Sequence, residues 1–299
     1  MADRMIVSAV AVRSVAFTAD GKSLAGLCGD SNVRLWDLAS GAQTKAIAWT
    51  KSDSAVALQA SAGGFAMVGS DTSMRLIDFK TGTAAVKVAA PGEKVRKVEF
   101  SPMRNMVAGG SAVPNSSANS VRVWDAAGKL KYTVPAGIGG ISVMAFSPDG
   151  ATLVAASYDA DVRAWSVKDG ELLRLVDELN NAMFAAVFSP DSKTLATAGS
   201  DGVIYLWDAK TWKPIRKIAG QPELISSLAY SPDGARIVSG GFDSTTVNNP
   251  THVIVWDAAS GKQLRSFDAK RQVTSVAVSP DGKSIAAAAG EKSVSVWDA

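Results

Sequence analysis

One five-residue pattern recurs seven times along the chain, and it constrains the fold more than any other feature. The copies are VRLWD (33–37), MRLID (74–78), VRVWD (121–125), VRAWS (162–166), IYLWD (204–208), VIVWD (253–257) and VSVWD (294–298). The Trp or its substitute stands at 36, 77, 124, 165, 207, 256 and 297, so successive copies lie 41, 47, 41, 42, 49 and 41 residues apart. A period of roughly 40–50 residues marks one supersecondary unit per copy, which cannot bury its faces alone and must stack on its neighbours.

A second marker precedes each copy: SVAFTADG (from Ser14), AVALQASA (Ala55), KVEFSPMR (Lys97), VMAFSPDG (Val143), AAVFSPDS (Ala185), SLAYSPDG (Ser227) and SVAVSPDG (Ser275). Each reads as a short strand ending in a tight turn, where Pro sets φ ahead of Asp-Gly and Gly accepts a positive φ. A third apolar run lies between the markers, such as SLAGLCG or TLVAASY, and a fourth follows each Trp-Asp, such as TKAIAW or PIRKI. Each unit is therefore four short strands joined by turns, with no helical period of useful length. Six of the eight tryptophans hold one equivalent position, which suits a large ring packed between adjacent sheets. Trp49 and Trp212 fall in or near fourth strands and read as packing residues too.

The period, the four-strand units and the Trp-Asp endings resemble the WD40-repeat family along essentially the whole chain. The resemblance implies an all-β fold, a single seven-bladed β-propeller of four-stranded antiparallel blades spanning 1–299. The blades would cover about 11–51, 52–92, 93–137, 138–179, 180–221, 222–270 and 271–299 with 4–10. The last assignment follows from strand counting. The chain stops at Ala299, leaving the seventh unit one strand short, while Met5 to Val10 is surplus to the first. The N-terminal strand is expected to complete the seventh blade, an exchange common in the family that also removes exposed sheet edges.

The sequence departs from the family in one respect. Many members carry a Gly-His pair before the first strand, whose His joins a hydrogen-bonded chain with an Asp, a Ser or Thr, and the Trp. The one histidine here, His252, is elsewhere, so a His-centred network is expected in no blade. An acidic residue before the third strand often remains, at Asp30, Asp71, Asp159, Asp201, Asp243 and Glu291. These are read as turn acceptors of backbone N–H groups.

Two units are long because of connections between their second and third strands, Gly109 to Ser120 and Gly240 to His252. Their composition offers hydrogen-bonding loop formers, among them Pro114, Asn115, the amide of Ala118-Asn119, Asn248, Asn249, Pro250 and His252. In the family this connection lies on the top face, so the two loops read either as jaws for a partner or as tolerated insertions. The first strands begin on the same face, at Arg13, Ser54, Arg96, Ser142, Phe184, Ser226 and Thr274. Arg13, Arg96 and Phe184 are candidate partner contacts, because Arg and aromatic residues dominate binding hot spots. Lys94 and Lys97 extend a basic sector there. The alternative for this rim is a solvated surface.

Composition narrows function by exclusion. With 31 basic and 28 acidic residues the net charge is +3, a mixed surface in which no nucleic-acid footprint stands out. One histidine and one cysteine, Cys28, supply too few ligands for a zinc site or a His-dependent triad. No phosphate-cradling Gly motif precedes a helix. No cofactor is expected. No apolar run approaches the roughly 20 residues of a membrane span. Lack of disulfides fits a cytoplasmic chain, with export open if a leader was removed. The expected function is a non-catalytic scaffold, a monomeric disc that binds protein or peptide partners through the top face and channel rim. The alternatives are a propeller enzyme or small-ligand sensor using the central channel, with loop carboxylates such as Asp177 and Glu178, or the sensor portion of a larger regulatory protein.

Overall fold

The computed structural model describes all residues except 1–3, 31, 48–53, 60–63, 69–73, 79, 89–94, 112–118, 138–139, 159, 177–178, 180, 244–250, 270 and 290–291. Of residues 54–57, 59, 64–68, 84–86, 88 and 96 it describes the backbone. The described residues hold no helix and form seven antiparallel sheets of four strands.

Sheet 1 comprises Val12–Phe17, Ser23–Cys28, Val33–Asp37 and Gln43–Ile47. Sheet 2 comprises Ser54–Gln59, Gly64–Val68, Met74–Asp78 and Ala84–Val88, and sheet 3 Val95–Phe100, Met106–Ser111, Ser120–Asp125 and Leu130–Pro135. Sheet 4 comprises Ile141–Phe146, Thr152–Ser157, Val162–Ser166 and Leu172–Val176, and sheet 5 Met183–Phe188, Thr194–Gly199, Ile204–Asp208 and Pro214–Ile218. Sheet 6 comprises Leu224–Tyr230, Arg236–Phe242, His252–Asp257 and Gln263–Asp268. Sheet 7 comprises Ser275–Val278, Ser284–Ala288 and Ser293–Asp298, and its fourth strand is Arg4–Val7. That N-terminal strand pairs antiparallel with the last strand of the chain, Arg4 opposite Val296 and Val7 opposite Ser293, as strand counting requires.

The chain divides into two compact units, residues 1–49 with 189–299, and residues 50–188. In the first, the opening strands of sheets 6, 7 and 1 pack side by side in that order. In the second, those of sheets 2, 3 and 4 and the strand Met183–Phe188 do the same. The apolar cores lie between neighbouring sheets. Val238, Val253, Val273, Val276, Ile285 and Trp297 fill the space between sheets 6 and 7, and Val121, Val123, Ile141, Met144, Phe146 and Trp165 that between sheets 3 and 4.

Burial along each strand follows from this stacking. Second strands such as Thr152–Ser157 are buried at nearly every residue because both faces are covered, so they read as unbroken runs of small apolar residues. Fourth strands such as Pro214–Ile218 are mostly exposed. Trp36 and Trp124 lie over the second strand, two residues from their registered partners. Under Trp36 and Trp124 that place is glycine, at Gly26 and Gly109, and a Cβ there would meet the ring at 2.5 and 3.0 Å. Burying one indole removes about 150–250 Å² from water, worth roughly 4–6 kcal/mol before entropy.

The turns repeat as faithfully as the strands. In Ser-Pro-Asp-Gly at 231–234, the Ser231 hydroxyl donates to Asp233 and accepts the Arg236 N–H, while Asp233 accepts the Ala235 N–H. The Ser231 hydroxyl holds the Asp233 carboxyl below its ordinary range. The Asp of Trp-Asp has a similar local task, since Asp257 accepts both the N–H and the hydroxyl of Ser260. Among the described residues no helix is long and apolar enough to cross a membrane.

Candidate functional site

The first strands carry a β-bulge at one recurring position. Register shifts fall between Val12 and Ser14, Ala55 and Ala57, Val95 and Lys97, Ile141 and Val143, and Ile225 and Ser227. The bulged residues are thus Arg13, Val56, Arg96, Ser142 and Ser226, with Phe184 and Thr274 at the equivalent places. In sheet 2 the first strand opens at Ser54, as read from the sequence, and the bulge falls two residues on, at Val56. Its marker, AVALQASA, has neither the Pro nor the Asp-Gly that marks the turn in other units.

Where the bulged residue carries a hydroxyl, it clasps two first strands together. The single Ser142 hydroxyl proton is shared between Ala156 O (3.0 Å) in its own sheet and Met183 O (2.5 Å) on the next first strand. Ser226 repeats this with Gly240 O (3.2 Å) and Val273 O (2.5 Å), and Thr274 with Ala288 O (3.1 Å) and Arg13 O (2.7 Å). Arg13 and Phe184 have no hydroxyl to do so. The Arg13 side chain is exposed and has no ion-pair partner among the described residues. Phe184 is half-buried and meets Tyr158 edge to face, with centroids 6.1 Å apart and Tyr158 52% exposed. Tyr158 was not singled out from the sequence, although its place just before the third strand of the same sector could have drawn notice. Lys97, one residue past the bulge in sheet 3, is half-buried, and burial pushes its ammonium down from its ordinary pKa.

His252 opens the third strand of sheet 6, at the foot of the longer connection. Its Nδ1 lies 2.6 Å from Glu223 Oε1 and its Nε2 3.6 Å from Asp268 Oδ1. The feet of that connection are pinned further. Gln272 Nε2 donates to Asp243 O, and Thr251 Oγ1 to Arg271 O. In the shorter connection the Ser120 N–H donates to Ser111 Oγ at 2.8 Å. Asn119 at the end of that connection is buried, and its Oδ1 accepts the Ser111 hydroxyl at 3.3 Å, so its side chain is turned into the fold. Pro114, Asn115, Ala118, Asn248, Asn249 and Pro250 lie outside the described residues, as do Trp49, Asp71, Lys94, Asp159, Asp177, Glu178, Glu291 and the side chain of Arg96. Of the turn carboxylates that are described, Asp30 is held down to about 2 by the Arg34 guanidinium (2.7 Å) and accepts the Asn32 N–H. Asp201 accepts the Val203 N–H and the Tyr205 hydroxyl.

The family model described as WD domain, G-beta repeat matches residues 7–37, 128–166, 178–208, 212–247 and 261–298, together more than half of the chain. The chain belongs to the WD40 family. No curated protein matches it.

The histidine of the WD40 chain of hydrogen bonds has a substitute in one blade. Gly220-Gln221 stands where other members carry Gly-His, and Trp256 Nε1 donates to Ser239 Oγ (2.8 Å), which donates to Gln221 Oε1 (2.5 Å). Gln221 Nε2 then donates to His252 O at 3.3 Å. A search for His alone misses this chain. In sheet 5 it is reduced to Trp207 Nε1 on Thr197 Oγ1 at 3.0 Å.

A second set of cross-sheet bonds lies on the outer strands of the WD40 blades. Arg216 Nη1 donates to Ser260 O, Arg265 Nη1 to Asp298 O and Arg4 Nη1 to Leu38 O, each at 2.9 Å. Each reaches the backbone at or just after the next Trp-Asp. Tyr132 holds the matching place in sheet 3, and its hydroxyl donates to Val167 O at 3.0 Å. Arg216, Arg265 and Tyr132 follow their own Trp by eight or nine positions, a regularity hidden among ordinary surface charges. Two open clefts flank the outer strands, one of about 560 Å³ beside Tyr230 and Ile215 and one of about 450 Å³ beside Trp297 and Met5.

Proposed function

We propose that the chain is a non-catalytic interaction module that holds a protein or peptide partner against the bulged ends of its first strands. WD40 domains in general are interaction scaffolds, and that coarse reading comes with the family. The finer one rests on a single contrast at the bulge. Ser142, Ser226 and Thr274 use that position to clasp neighbouring strands. Arg13, exposed, and Phe184, half-buried against Tyr158, occupy the same position with side chains that clasp nothing. Fold stability alone favours a hydroxyl there, so guanidinium and aromatic groups at those positions fit recognition better. Arg96 belongs to the same set by position. The connections through 112–118 and 244–250 are the second part of the proposed surface, with His252 and its partners as the fixed foot of the longer one.

The test is affinity capture from the native host with wild type, Arg13→Ala, Arg96→Ala, Phe184→Ala and a variant with both long connections trimmed. A partner held by wild type is expected to be lost on substitution at the bulge, and to be weakened by trimming. Equal capture by all five proteins rejects the proposed surface.

A further inference from the structure

The turn that closes a first strand stacks against the turn of the next sheet in a repeating way. A Cβ on Gly282 would meet Pro232 Cδ at 3.7 Å, and one on Gly234 would meet Pro190 Cδ at 3.6 Å. The clefts between sheets 6 and 7 and between sheets 5 and 6 are therefore built on one plan here, at the other end of the first strands from the bulges. The first is bridged by an arginine. Arg236, which opens the second strand of sheet 6, is half-buried, and its Nη2 donates to Gly282 O at 2.9 Å. Its charge adds to the Ser231 hydroxyl and the Ala235 N–H in holding the Asp233 carboxyl down.

In sheet 5 the equivalent residue is Thr194, too short to cross. The space is left as the cleft of about 560 Å³, lined by Thr194 on one side and on the other by Gly234, the counterpart of the residue that accepts from Arg236. Ser23, Thr152 and Ser284 are also short at this position, so the missing arginine alone does not single the cleft out. Tyr230 does. Sheets 1, 3, 4 and 5 end their first strands in Phe17, Phe100, Phe146 and Phe188, all buried. Tyr230 in the same place is half-buried, lines the cleft, and its hydroxyl has no hydrogen-bond partner among the described residues. Burial, and after it the Asp191 carboxylate, push the phenol up from its ordinary pKa. The walls include Pro190, Pro232 and the exposed Ile215, and the charged lining is Asp191 and Asp233, with no cation among the lining residues. Asp191 meets Lys193 at 3.6 Å, an exposed pair of the weak kind.

We propose that the cleft between sheets 5 and 6 takes the side chain of an arginine from a partner protein, as the next cleft takes Arg236. The aliphatic stem lies along Ile215 and the prolines. The guanidinium fork serves the Gly234 carbonyl, the phenol oxygen and the carboxylates. A lysine ammonium is more strongly hydrated and lacks the planar fork. This site is separate from the bulged surface and does not depend on it.

The probe is N-acetylarginine amide, titrated at constant ionic strength and followed through the Gly234 and Ala235 amides in ¹H–¹⁵N spectra. Both amides are expected to move saturably in wild type. Binding is expected to be about tenfold weaker for the uncharged citrulline counterpart and about threefold weaker for the lysine counterpart. Thr194→Arg places the bridging side chain of sheet 6 in sheet 5, and is expected to abolish the shifts with a thermal midpoint at or above that of wild type. Tyr230→Phe, which restores the phenylalanine of sheets 1, 3, 4 and 5, is expected to keep the fold and weaken binding about threefold. No saturable shift in wild type, or undiminished binding in Thr194→Arg or Tyr230→Phe, overturns the site. A lowered midpoint in Thr194→Arg means that the two clefts are not equivalent, and the argument from Arg236 fails. Citrulline binding as tightly as arginine overturns the role of the charge, and lysine binding as tightly overturns the guanidinium assignment.

Discussion

Ser239→Ala should cost about 2–4 kcal/mol, because one lost oxygen strands two buried groups. Ser239 is fully buried, Trp256 is 2% exposed and Gln221 5%. The hydroxyl takes the indole N–H at 2.8 Å and gives its proton to the Gln221 carbonyl at 2.5 Å. Alanine removes both bonds and leaves the indole donor and the amide acceptor without water, at about 1–3 kcal/mol each. The cost depends on Gln221. Sheets 4 and 7 already have alanine at the matching register, Ala155 and Ala287, and there Gly137 and Ala269 stand in place of Gln221. The double variant Ser239→Ala/Gln221→Leu approaches that native arrangement. It should cost about 1–2 kcal/mol less than the sum of the singles. Thr197→Val strands only the Trp207 indole and should cost about 1–2 kcal/mol. Urea unfolding at 25 °C measures all of these as midpoint shifts at unchanged slope. A loss below about 0.5 kcal/mol for Ser239→Ala, or singles that simply add, would refute the reasoning.

Deleting residues 1–10 removes the buried Ile6, about 1.5–3 kcal/mol, breaks the Arg4 bond to Leu38 O and exposes the edge of Ser293–Asp298, so the thermal midpoint should fall. An unchanged midpoint would mean that the strand does not close sheet 7 in solution. Burial and the nearby Asp169 raise the Tyr132 phenol to about 12. The unfolded phenol ionises first, near 10, so the protonated folded form is favoured below that pH and this advantage is lost as pH rises from 10 to 12. Tyr132→Phe should therefore be less stable than wild type at pH 7, by about 1 kcal/mol for the lost bond to Val167 O, and the gap should narrow above pH 10. A gap that widens with pH would contradict this. Trp212 sits at φ +57° where the same turn elsewhere has glycine at 41, 82, 128, 170 and 261, yet its indole is 9% exposed. Trp212→Gly relieves about 1 kcal/mol of backbone strain but gives up more in burial, so a net loss of stability is expected in thermal unfolding.

The parts of the fold that were legible in the sequence are those that depend on rare residues. Trp at one register and Pro-Asp-Gly at one turn have few uses, so their repetition set the strands and their order. The exchange of Met5 and Ile6 into sheet 7 needed only a count of strands. The site was harder for the opposite reason. Gln221 does the work expected of a histidine, and an amide can do it because the task is to accept one O–H bond while donating another. Val56 rather than Ser54 takes the bulge because frame, not residue type, decides that position. Ser142, Ser226 and Thr274 were named as rim residues, but their two carbonyl acceptors lie on other strands and leave no trace in local sequence.

Both sets of cross-sheet bonds, hydroxyls at the bulge and guanidinium groups on the outer strands, are aimed at backbone carbonyls. The acceptor is therefore present whatever the neighbouring side chain is, and only the donor is specified by sequence. That explains why Tyr132 can replace Arg at its outer position, since a phenol also donates to a carbonyl. It also explains why the bulge tolerates Arg13 and Phe184. Losing the donor there strands no side-chain partner, only a backbone carbonyl. The position after the bulge is filled differently: Ser227 and Ser275 accept an N–H of the next first strand there, while Ala57, Val143 and Ala185 supply no acceptor.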